Sequence, residues 1–471
     1  MTAKTLPNTP WRVLDGFGRA VNAASHYLAP TSVDELAATL KLAKQEDAKV
    51  AFRGAGRSYG DAALNTNHLI IDTSKLDRVE HWDPTSGILS AEPGLTIEGL
   101  WRRTIEDGYW PAVVPGTMRP TLGGCVAMNI HGKNNFKVGS FGEHVLSLEL
   151  LTTEGELLQC SRDENSELFH AVIGGLGLLG AVTKVTLKLK KIESGNLRVR
   201  ALAAANLDEL FNTFEQHLPS SDYLVGWVDC LAQGKSLGRG QLHAASYLHA
   251  HEDPHAKESL HVENQGLPST ILGFPKSQLW RFMGPFLNNP GVSFVNTAKF
   301  YASRLEHEKT FIQSHVAFAF LLDYVPNWRL SYGPGGFIQY QIFVPHATAR
   351  ECLREVLAMC HKEQRCSFLG VLKRHRPDPF LLTHALDGWS LALDFKADDK
   401  PGLWRFTERL TERVLEAGGK FYFAKDVVLR PEDARRAYGE KLSQFAALRD
   451  RVDPSGLLSS DLWRRINERH L

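Results

Sequence analysis

The sequence has few cysteines, and their spacing fits neither a metal site nor a disulfide framework. The six cysteines are scattered along 471 residues, without CxxC pairs or interleaved histidines. They are Cys125, Cys160, Cys230, Cys352, Cys360 and Cys366. We therefore expect no bound metal, and a reducing compartment is the simpler interpretation.

Long apolar runs are also missing. No stretch approaches the ~20 apolar residues that a membrane-spanning helix needs. Residues Met1 to Arg12 lack the charged head and apolar core of a secretory signal. We expect a cytoplasmic protein that contacts the inner membrane at most peripherally.

The sequence has no excess of charge of either sign. Its formal net charge is +1, so no global field indicates a nucleic-acid partner. Hydrophobic residues make up 43% and charged residues 23%, which is typical of a soluble globular protein. A chain of 471 residues exceeds one ordinary core, and this length favours more than one domain.

Periodicity predicts strands mixed with helices, without regular βαβ alternation. Ser32 and Glu35 have capping-box spacing ahead of a helix. Residues 145–152 and 156–159 are typical of a hairpin, and 185–190 alternates like a half-exposed strand. This pattern favours an α+β fold over a doubly wound sheet.

A domain boundary is expected near residue 192. We predict a first domain over 1–192, a second over 193–415 and a C-terminal segment over 416–471 that returns to the first domain. The second domain contains candidate strands at 224–230, 337–344 and 389–395.

One segment matches a dinucleotide fingerprint literally. Gly175, Gly177 and Gly180 have GxGxxG spacing. That motif binds a pyrophosphate when a strand precedes it and a helix follows. Here the predicted order is helix, then strand, so we interpret it as a turn that needs glycine dihedrals.

Two other glycine-rich segments indicate close contact with a ligand. The loop Arg53–Gly60 follows an apolar strand and contains three glycines and a serine. Such a loop can form a nest of N–H groups that binds phosphate oxygens. About sixty positions later, residues 115–134 are dense in small residues, as backbone packed against a flat ligand would be.

Taken together, these segments resemble the FAD domain of the vanillyl-alcohol-oxidase family. Phe52–Gly60 resembles its first pyrophosphate loop, and residues 115–124 resemble its second. Gly175–Val182 resembles its adenine-side turn. The resemblance implies FAD as cofactor, a two-lobed fold and a substrate domain built on an antiparallel sheet.

The similarity extends to one branch of that family, whose members oxidise the 2′-hydroxyl of decaprenylphosphoryl-β-D-ribose. The motifs are Arg53–Asp61, Asn129–Asn134, Gly139–Gly142, Tyr332–Gln341, Asp394–Phe395, Phe421–Asp426, Val452–Pro454 and Ser460–Leu462. The resemblance implies a polyprenyl-phosphate-linked sugar substrate, a short-chain dehydrogenase partner that reduces the keto product, and a role in arabinan precursor synthesis for the cell wall.

The resemblance also implies a set of cofactor-binding residues. They are Arg53, Gly54, Ala55, Gly56, Arg57, Ser58, Tyr59, Gly60, Gly116, Thr117, Thr121, Leu122, Gly123, Gly124, Met128, Asn129, Ile130, His131, Val182 and Tyr422. Many relatives attach flavin covalently to a histidine in the first loop, and Arg57 occupies that position here. A guanidinium cannot form that bond, so we expect non-covalent FAD.

Lys425 and His131 are the candidate catalytic residues. Lys425 lies beside the flavin ring by resemblance, and burial or nearby positive charge can turn a lysine into a useful base. Alone, it would be interpreted as a solvated lysine at a strand end. The substrate-binding candidates, also by resemblance, are Tyr59, Lys133, Trp227, Gln339, Gln341, Lys373 and Lys425. Mycobacterial members have a cysteine where this chain has Ala392.

Two other functions remain open on the sequence alone. A sugar-acid lactone or alditol oxidase of the same family would act on a free sugar and leave Lys133 and Lys373 without an anionic partner. A non-catalytic flavin protein would sense redox state. Residues 251–268 lack periodicity, and we hypothesise a mobile loop over the pocket.

Overall fold

The computed structural model describes residues 9–267, 269–271 and 274–467. The first lobe contains β1 (Trp11–Asp15), β2 (Asn22–Leu28), α1 (Val33–Gln45), β3 (Val50–Arg53), β4 (Leu69–Asp72), β5 (Val79–Asp83), β6 (Ile88–Ala91), α2 (Ile97–Thr104), β7 (Tyr109–Trp110), α3 (Leu122–Ala127), α4 (Asn135–Val138), β8 (Val145–Leu151), β9 (Leu157–Ser161), α5 (Ser166–Val172), β10 (Ala181–Lys188) and β11 (Lys190–Lys191).

The second lobe contains β12 (Asn196–Ala204), α6 (Leu207–His217), β13 (Tyr223–Val228), β14 (Gly240–Tyr247), α7 (Ala256–Ser259), β15 (Thr270–Ile271), β16 (Phe274–Pro275), α8 (Lys276–Met283), α9 (Asn289–Leu305), β17 (Thr310–Ser314), α10 (His315–Ala319), β18 (Phe337–Pro345), α11 (His346–Lys362), β19 (Gly370–His375), β20 (Gly388–Lys396) and α12 (Lys400–Glu416). The C-terminal segment contains β21 (Lys420–Phe421), α13 (Pro431–Tyr438), α14 (Glu440–Val452) and α15 (Asp461–Ile466).

The first lobe is built on two main sheets. One has the order β1-β2-β4-β3, in which β2, β4 and β3 are parallel. The other has the order β5-β6-β10-β8-β9 and is antiparallel. The predicted hairpin is confirmed, because β8 pairs with β9 across a turn in which Gly155 has φ +89°.

Helix α1 begins with the capping interaction that its sequence predicts, with one change of partner. The Ser32 hydroxyl accepts from the backbone N–H of Glu35 at 3.1 Å. The Glu35 carboxylate accepts from the N–H of Thr31 at 2.7 Å, not from that of Ser32. The reciprocal half of the box is therefore shifted by one residue.

The second lobe is an eight-stranded antiparallel sheet of order β17-β12-β14-β13-β19-β20-β18-β21. Helices α6, α11 and α12 cover one face, where Trp389 contacts Phe211 and Phe214 with ring centroids 4.6 and 5.2 Å apart. Such aromatic pairs add about 0.5–1.5 kcal/mol beyond area burial. The α+β two-lobed fold is confirmed, and the opposite face of this sheet is left for the site.

The C-terminal segment joins both lobes. Its first strand, β21, still pairs with β18 of the large sheet. The chain then returns to the first lobe, where the N–H of Val50 donates to Leu457 O (2.8 Å) and the N–H of Ser459 donates to Val50 O (2.8 Å). Arg465 on α15 donates to both Asp61 oxygens (2.8 and 2.9 Å) and to Asp426 (2.9 Å). One half-buried guanidinium thus connects two buried carboxylates, one at the end of the first glycine loop and the other on the residue after Lys425.

Residues 251–267, the described part of the segment for which we hypothesised a mobile loop, are anchored by buried hydrogen bonds; Pro268 lies outside the described residues, and the mobility of the loop stays a prediction. The carbonyl oxygens of Gly195 and Ser259 accept from the amide of Gln265, which is fully buried. The Ser259 hydroxyl accepts from the N–H of Gly195. Besides these polar anchors, the unevenly spaced side chains Leu260, Val262 and Leu267 pack against the core, so the sequence shows no regular periodicity. Among the described residues, no helix is long and apolar enough to cross a bilayer.

Candidate functional site

The three glycine-rich segments meet in one groove of the first lobe. A Cβ at Gly54 would overlap the Thr121 hydroxyl, so the first loop lies directly on the start of α3. The N–H groups of Gly174 and Leu176 donate to Val126 O and Ala127 O at the end of α3 (2.9 and 3.0 Å). The turn that contains Gly175, Gly177 and Gly180, which we interpreted as a turn and not as a dinucleotide-binding motif, therefore completes the groove.

The first loop presents free backbone donors. Among the described residues, no acceptor is found for the N–H groups of residues 54–58. Arg53 holds the loop in shape, because its guanidinium donates to Ala63 O and Asp15 O, both at 3.0 Å. Gly56 has φ +63°, a conformation that favours glycine. A run of unpaired N–H groups in a concave loop is suited to phosphate oxygens.

The second loop is fastened to the other lobe. Asp323 accepts from the Thr117 hydroxyl and from the N–H of Met118, each at 2.8 Å. The N–H of Leu322 donates to Gly116 O at 3.1 Å. Thr121 caps α3 through Gly124. The predicted residues Thr117 and Thr121 therefore shape the loop with side chains that are already hydrogen-bonded.

Asn129 also has its side chain satisfied within the protein. It has φ +42°, donates to Asp378 at 2.9 Å and accepts from the N–H of Gly142 at 3.0 Å. These contacts fix the backbone two residues before His131, which lies in the cleft between the lobes.

The groove fits FAD by its unpaired donors and by its exposure. Partly exposed members of the predicted set are Arg53, Gly54, Ala55, Gly56, Arg57, Ser58, Gly116, Thr117, Gly123, Gly124, Met128 and Val182. Buried members are Tyr59, Gly60, Thr121, Leu122, Asn129, Ile130, His131 and Tyr422. Across the whole predicted set, two side-chain nitrogen atoms are buried without a hydrogen-bond partner among the described residues: Arg57 Nε and His131 Nδ1. A polar ligand in the groove would satisfy such donors.

Strand register collects polar side chains on the open face of the large sheet. Gln339 lies opposite Asp394, Gln341 opposite Ala392, and Lys373 opposite Ser390. Directly opposed residues in an antiparallel pair point to the same face. Leu372, on the alternate face, lies opposite Gly226 beneath Phe214 of α6. The six opposed side chains therefore point away from the helices and towards the first lobe.

His131 lies in a buried cluster of rings. The amide of Gln341 donates to His131 Nε2 at 3.0 Å, so a neutral His131 carries its proton on Nδ1. Ring centroids of His375, His384 and Tyr422 lie 5.0, 5.3 and 5.3 Å from that of His131. Burial, and then the charge of Lys373, holds the pKa of His131 well below its ordinary value. His131 is therefore neutral at pH 7.

Lys425 is held against Tyr59 and near a carboxyl group. Its Nζ lies 3.5 Å from the Tyr59 ring centroid, and the N–H of Tyr59 donates to Ala424 O at 2.8 Å. Burial lowers the pKa of Lys425 to about 7, Asp394 opposes this shift, and Lys373 adds to it. Burial also raises the pKa of Asp394, whose Oδ1 accepts from Gln339 at 2.7 Å. Lys425 is thus a base that is available near neutral pH.

The structure does not bring all the predicted substrate residues together. Lys425, Gln339 and Gln341 line one cavity. Lys133 lines another, with Tyr223 and His315, and donates to Phe318 O.

Lys373 and Trp227 lie elsewhere on the same sheet face. Lys373 lines neither of these cavities, but its charge lowers the pKa of both Lys133 and Lys425. Trp227 lies further along the sheet, under Lys299 Nζ at 4.1 Å.

Comparison with known proteins agrees with this geometry. Residues 24–161 match a family described as FAD binding domain, and residues 336–466 match one described as D-arabinono-1,4-lactone oxidase. Decaprenylphosphoryl-beta-D-ribose oxidase of Mycolicibacterium smegmatis is 30% identical over 475 residues, which cover 99% of each chain. The chain belongs to the vanillyl-alcohol-oxidase family.

More distant members of this family also align along the chain. L-gulonolactone oxidase of Bos taurus is 24% identical over 93% of this chain and 94% of its own. Cytokinin dehydrogenase 6 of Oryza sativa is 31% identical over 47% of this chain and 45% of its own. The expected FAD cofactor and the expected oxidoreductase acting on CH–OH groups are confirmed.

Several residues of this vanillyl-alcohol-oxidase family site are missing from the sequence prediction. His375 Nε2 and the Ser390 hydroxyl are hydrogen-bonded at 2.7 Å and buried, and His384 lies 4.3 Å from Tyr422 between ring centroids. Asp394 entered the prediction only as part of a motif. The position of His375 could have been predicted from the sequence. It lies two residues after Lys373 in β19, and residues two apart in a strand point to the same face. His384 lies in a loop, where no periodicity could indicate its direction.

Gly60 offers a direct test of how this family's loop is packed. A Cβ there would overlap the carbonyl oxygen of Asp426, a backbone atom that cannot move aside. We expect Gly60→Ala to cost about 1–3 kcal/mol of unfolding free energy and to weaken FAD retention. Thermal unfolding and flavin fluorescence on dilution would measure both.

The matched control is Gly266→Ala, where the nearest atom to a new Cβ is 3.7 Å away. Equal melting temperatures for the two variants would contradict the close approach of Gly60 to the Lys425 segment.

Proposed function

We propose that this flavoprotein oxidises the 2′-hydroxyl of a polyprenylphosphoryl pentose to a keto sugar. The observation that carries the proposal is a set of lysines facing the cleft. Burial lowers the pKa of Lys133 and of Lys373, and no carboxylate offsets the shift at either. Lysines without a carboxylate partner are suited to a substrate that carries its own negative charge, such as a sugar phosphodiester.

The proposed chemistry assigns proton transfer to this chain. Bound FAD supplies the acceptor for the hydride that leaves the sugar carbon. Neutral Lys425 accepts the hydroxyl proton, and Tyr59 holds its amine in place through the 3.5 Å contact. Neutral His131, with Nδ1 free, orients the sugar by a hydrogen bond, since Gln341 fixes its ring. Lys373 and Lys133 bind the phosphate.

The remaining predicted residues take positioning roles in this proposal. Gln339 orients Asp394, which lies near Lys425, and Trp227 borders the sugar pocket. Residues 54–58 bind the FAD pyrophosphate, with Arg57 in place of a covalent link. Residues 1–192 form the FAD domain, 193–415 the substrate domain, and 416–471 complete the active site by returning Lys425 to the first loop.

A lipid-linked substrate implies two further associations. A short-chain dehydrogenase would reduce the keto product, which together with this oxidation inverts one sugar centre. The enzyme would meet its substrate at a membrane surface by peripheral contact. The product would then serve as an arabinan precursor for the cell wall, as the resemblance of the sequence motifs implies.

A second candidate, a sugar-acid lactone oxidase, is favoured by one observation. Residues 336–466, which include Gln339, Gln341 and Lys425, match the D-arabinono-1,4-lactone oxidase family. In that case the substrate would be a free lactone, and Lys133 and Lys373 would bind its hydroxyl groups.

One experiment separates the two candidates and tests non-covalent binding. The purified holoenzyme is precipitated with acid, and flavin is expected in the supernatant. Fresh enzyme is then mixed anaerobically with a polyprenylphosphoryl pentose or with an arabinono-lactone. Bleaching of the flavin by the lipid-linked sugar alone supports the main proposal. Bleaching by the lactone alone, or flavin retained in the pellet, would favour the second candidate.

A further inference from the structure

Exposed apolar side chains are concentrated in one part of the molecule. Among the described residues, thirteen large hydrophobic side chains are exposed, and only Trp11, Val13 and Leu157 lie outside residues 274–321. Six lie on α8, α9 and the turn between them, and we call them the aromatic face: Phe282, Phe286, Phe294, Val295, Tyr301 and Leu305. Isolated exposed hydrophobics are ordinary, whereas a contiguous group marks an interaction site.

Helix α9 exposes its more apolar side. Phe294, Ala298, Tyr301 and Leu305 follow i, i+4, i+7 and i+11 spacing, which places them on one stripe. All are exposed, with Phe294 at 72% and Leu305 at 78%.

The buried stripe of the same helix is half polar. Val292 and Phe300 are buried there together with Asn296 and Ser303, and the amide of Asn296 donates to Asp229 at 2.9 Å. A surface helix ordinarily buries its apolar residues and exposes its polar ones, whereas α9 exposes an apolar stripe as well. The sequence of α9 is therefore suited to an apolar environment on its outer side.

The exposed charged side chains within residues 274–305 are basic: Arg281, Lys299 and Arg304. Lys276 is buried, and the next carboxylates along the chain, Glu306 and Glu308, follow the end of α9. On the helical wheel of α9, Lys299 and Arg304 lie on opposite borders of the apolar stripe. Aromatic and aliphatic side chains bordered by basic ones are typical of helices that lie in the interface of an anionic bilayer.

The aromatic face adjoins the site. Helix α8 packs against residues 328–332, and Tyr332 contacts Asp394 at 3.5 Å. Lys299 of α9 lies over Trp227 on the open face of the large sheet. A surface lying against the aromatic face would therefore meet the molecule next to the cleft.

We propose that α8 and α9 dock this protein on an anionic lipid bilayer, with the aromatic face entering the headgroup region. The biological reason for docking rests on the proposed function, since a polyprenyl chain would remain in the bilayer while its sugar enters the cleft. The docking itself does not depend on turnover. A second copy of the chain is disfavoured as occupant, because a symmetric contact would bring the exposed basic residues Arg281, Lys299 and Arg304 of each copy close to those of the other.

Vesicle flotation tests this surface with the holoenzyme. The wild type is expected to float with vesicles of phosphatidylcholine mixed with phosphatidylglycerol, and much less with phosphatidylcholine alone. The triple variant Phe294→Ser, Tyr301→Ser, Leu305→Ser keeps the net charge and is expected to partition about 100-fold more weakly. The double variant Arg281→Ser, Arg304→Ser is expected to lose the preference for the anionic lipid.

The matched control is Leu157→Ser on β9, which is 52% exposed and outside the aromatic face; it is expected to float like the wild type. All variants are checked for an unchanged flavin spectrum and melting temperature. Absence of wild-type flotation, or equal flotation of the triple variant, would overturn the proposal. So would sedimentation velocity showing a wild-type dimer that the triple variant dissolves. Flotation of an enzyme that no lipid-linked sugar bleaches would leave the docking surface standing and reject the proposed substrate.

Discussion

Replacing Lys425 with methionine is expected to lower kcat by about 10²–10⁴-fold, the usual contribution of a positioned base, while FAD stays bound. Burial lowers the pKa of this lysine to about 7, and its Nζ is held 3.5 Å from the Tyr59 ring. Methionine keeps most of the volume but cannot accept a proton. Retention of flavin with loss of turnover would also contradict the non-catalytic redox sensor.

The pH profile distinguishes a base from a structural lysine. The reactive form is the neutral amine, so wild-type kcat is expected to rise as pH passes through about 7 and to level off above it. In Lys425→Met, kcat should not rise with pH in this range. Lys425→Arg should be as inactive as the methionine variant at neutral pH, because a guanidinium stays protonated.

The control for this series is Lys396→Met, which removes an ion pair with Asp398 at the end of β20. It should behave like the wild type. If Lys425→Met keeps both the wild-type kcat and its rise near pH 7, then another group is the base, and His131 is the next candidate.

Arg465→Met is expected to lower the unfolding free energy by about 3–5 kcal/mol, the cost of breaking a buried ion pair from one side. Arg465 donates to Asp61 twice and to Asp426 once, and its removal would leave two carboxylates without their cation. Asp61 follows the first loop and Asp426 follows Lys425, so FAD should also be released at a lower temperature. Denaturant unfolding, followed by circular dichroism and by flavin fluorescence, measures both effects.

Arg451→Met is the matched control, because Arg451 forms an exposed pair with Glu167 at 2.5 Å. Exposed pairs contribute about 0–1 kcal/mol. If the Arg465 and Arg451 variants unfold at the same denaturant concentration, then the C-terminal helix does not stabilise the site as described.

Local patterns in the sequence predicted several elements of the fold. The capping residues of α1, the hairpin at Glu154 and Gly155, and the helix-turn-strand order around Gly175 all depend on neighbours within a few residues. The first glycine loop was likewise recognisable, because its residue types determine its conformation. Asn165 precedes α5, but its side chain donates to Gln159 O and does not cap the helix.

The rest depends on contacts between distant residues. The pairing of His375 with Ser390 follows from the register of β19 against β20, which no single strand encodes. The contacts of Arg465 span about 400 residues of sequence. For α9, periodicity reveals an apolar stripe but not whether it points inwards, and here it points to solvent. Residues 251–267 are held by buried polar side chains and by a few unevenly spaced apolar ones, so they show no apolar periodicity.

The return of the C-terminal segment to Val50 has a consequence for synthesis of the protein. The edge of the parallel sheet remains open beside β3 until residues 457–459 have left the ribosome. Lys425 and α15 also emerge last, so a nascent chain carries the first glycine loop long before its neighbours exist. Such long-range closure is slow and leaves an unpaired strand edge during translation. We therefore expect flavin capture to be a late, post-translational event, and chains stopped before α14 to depend on chaperones.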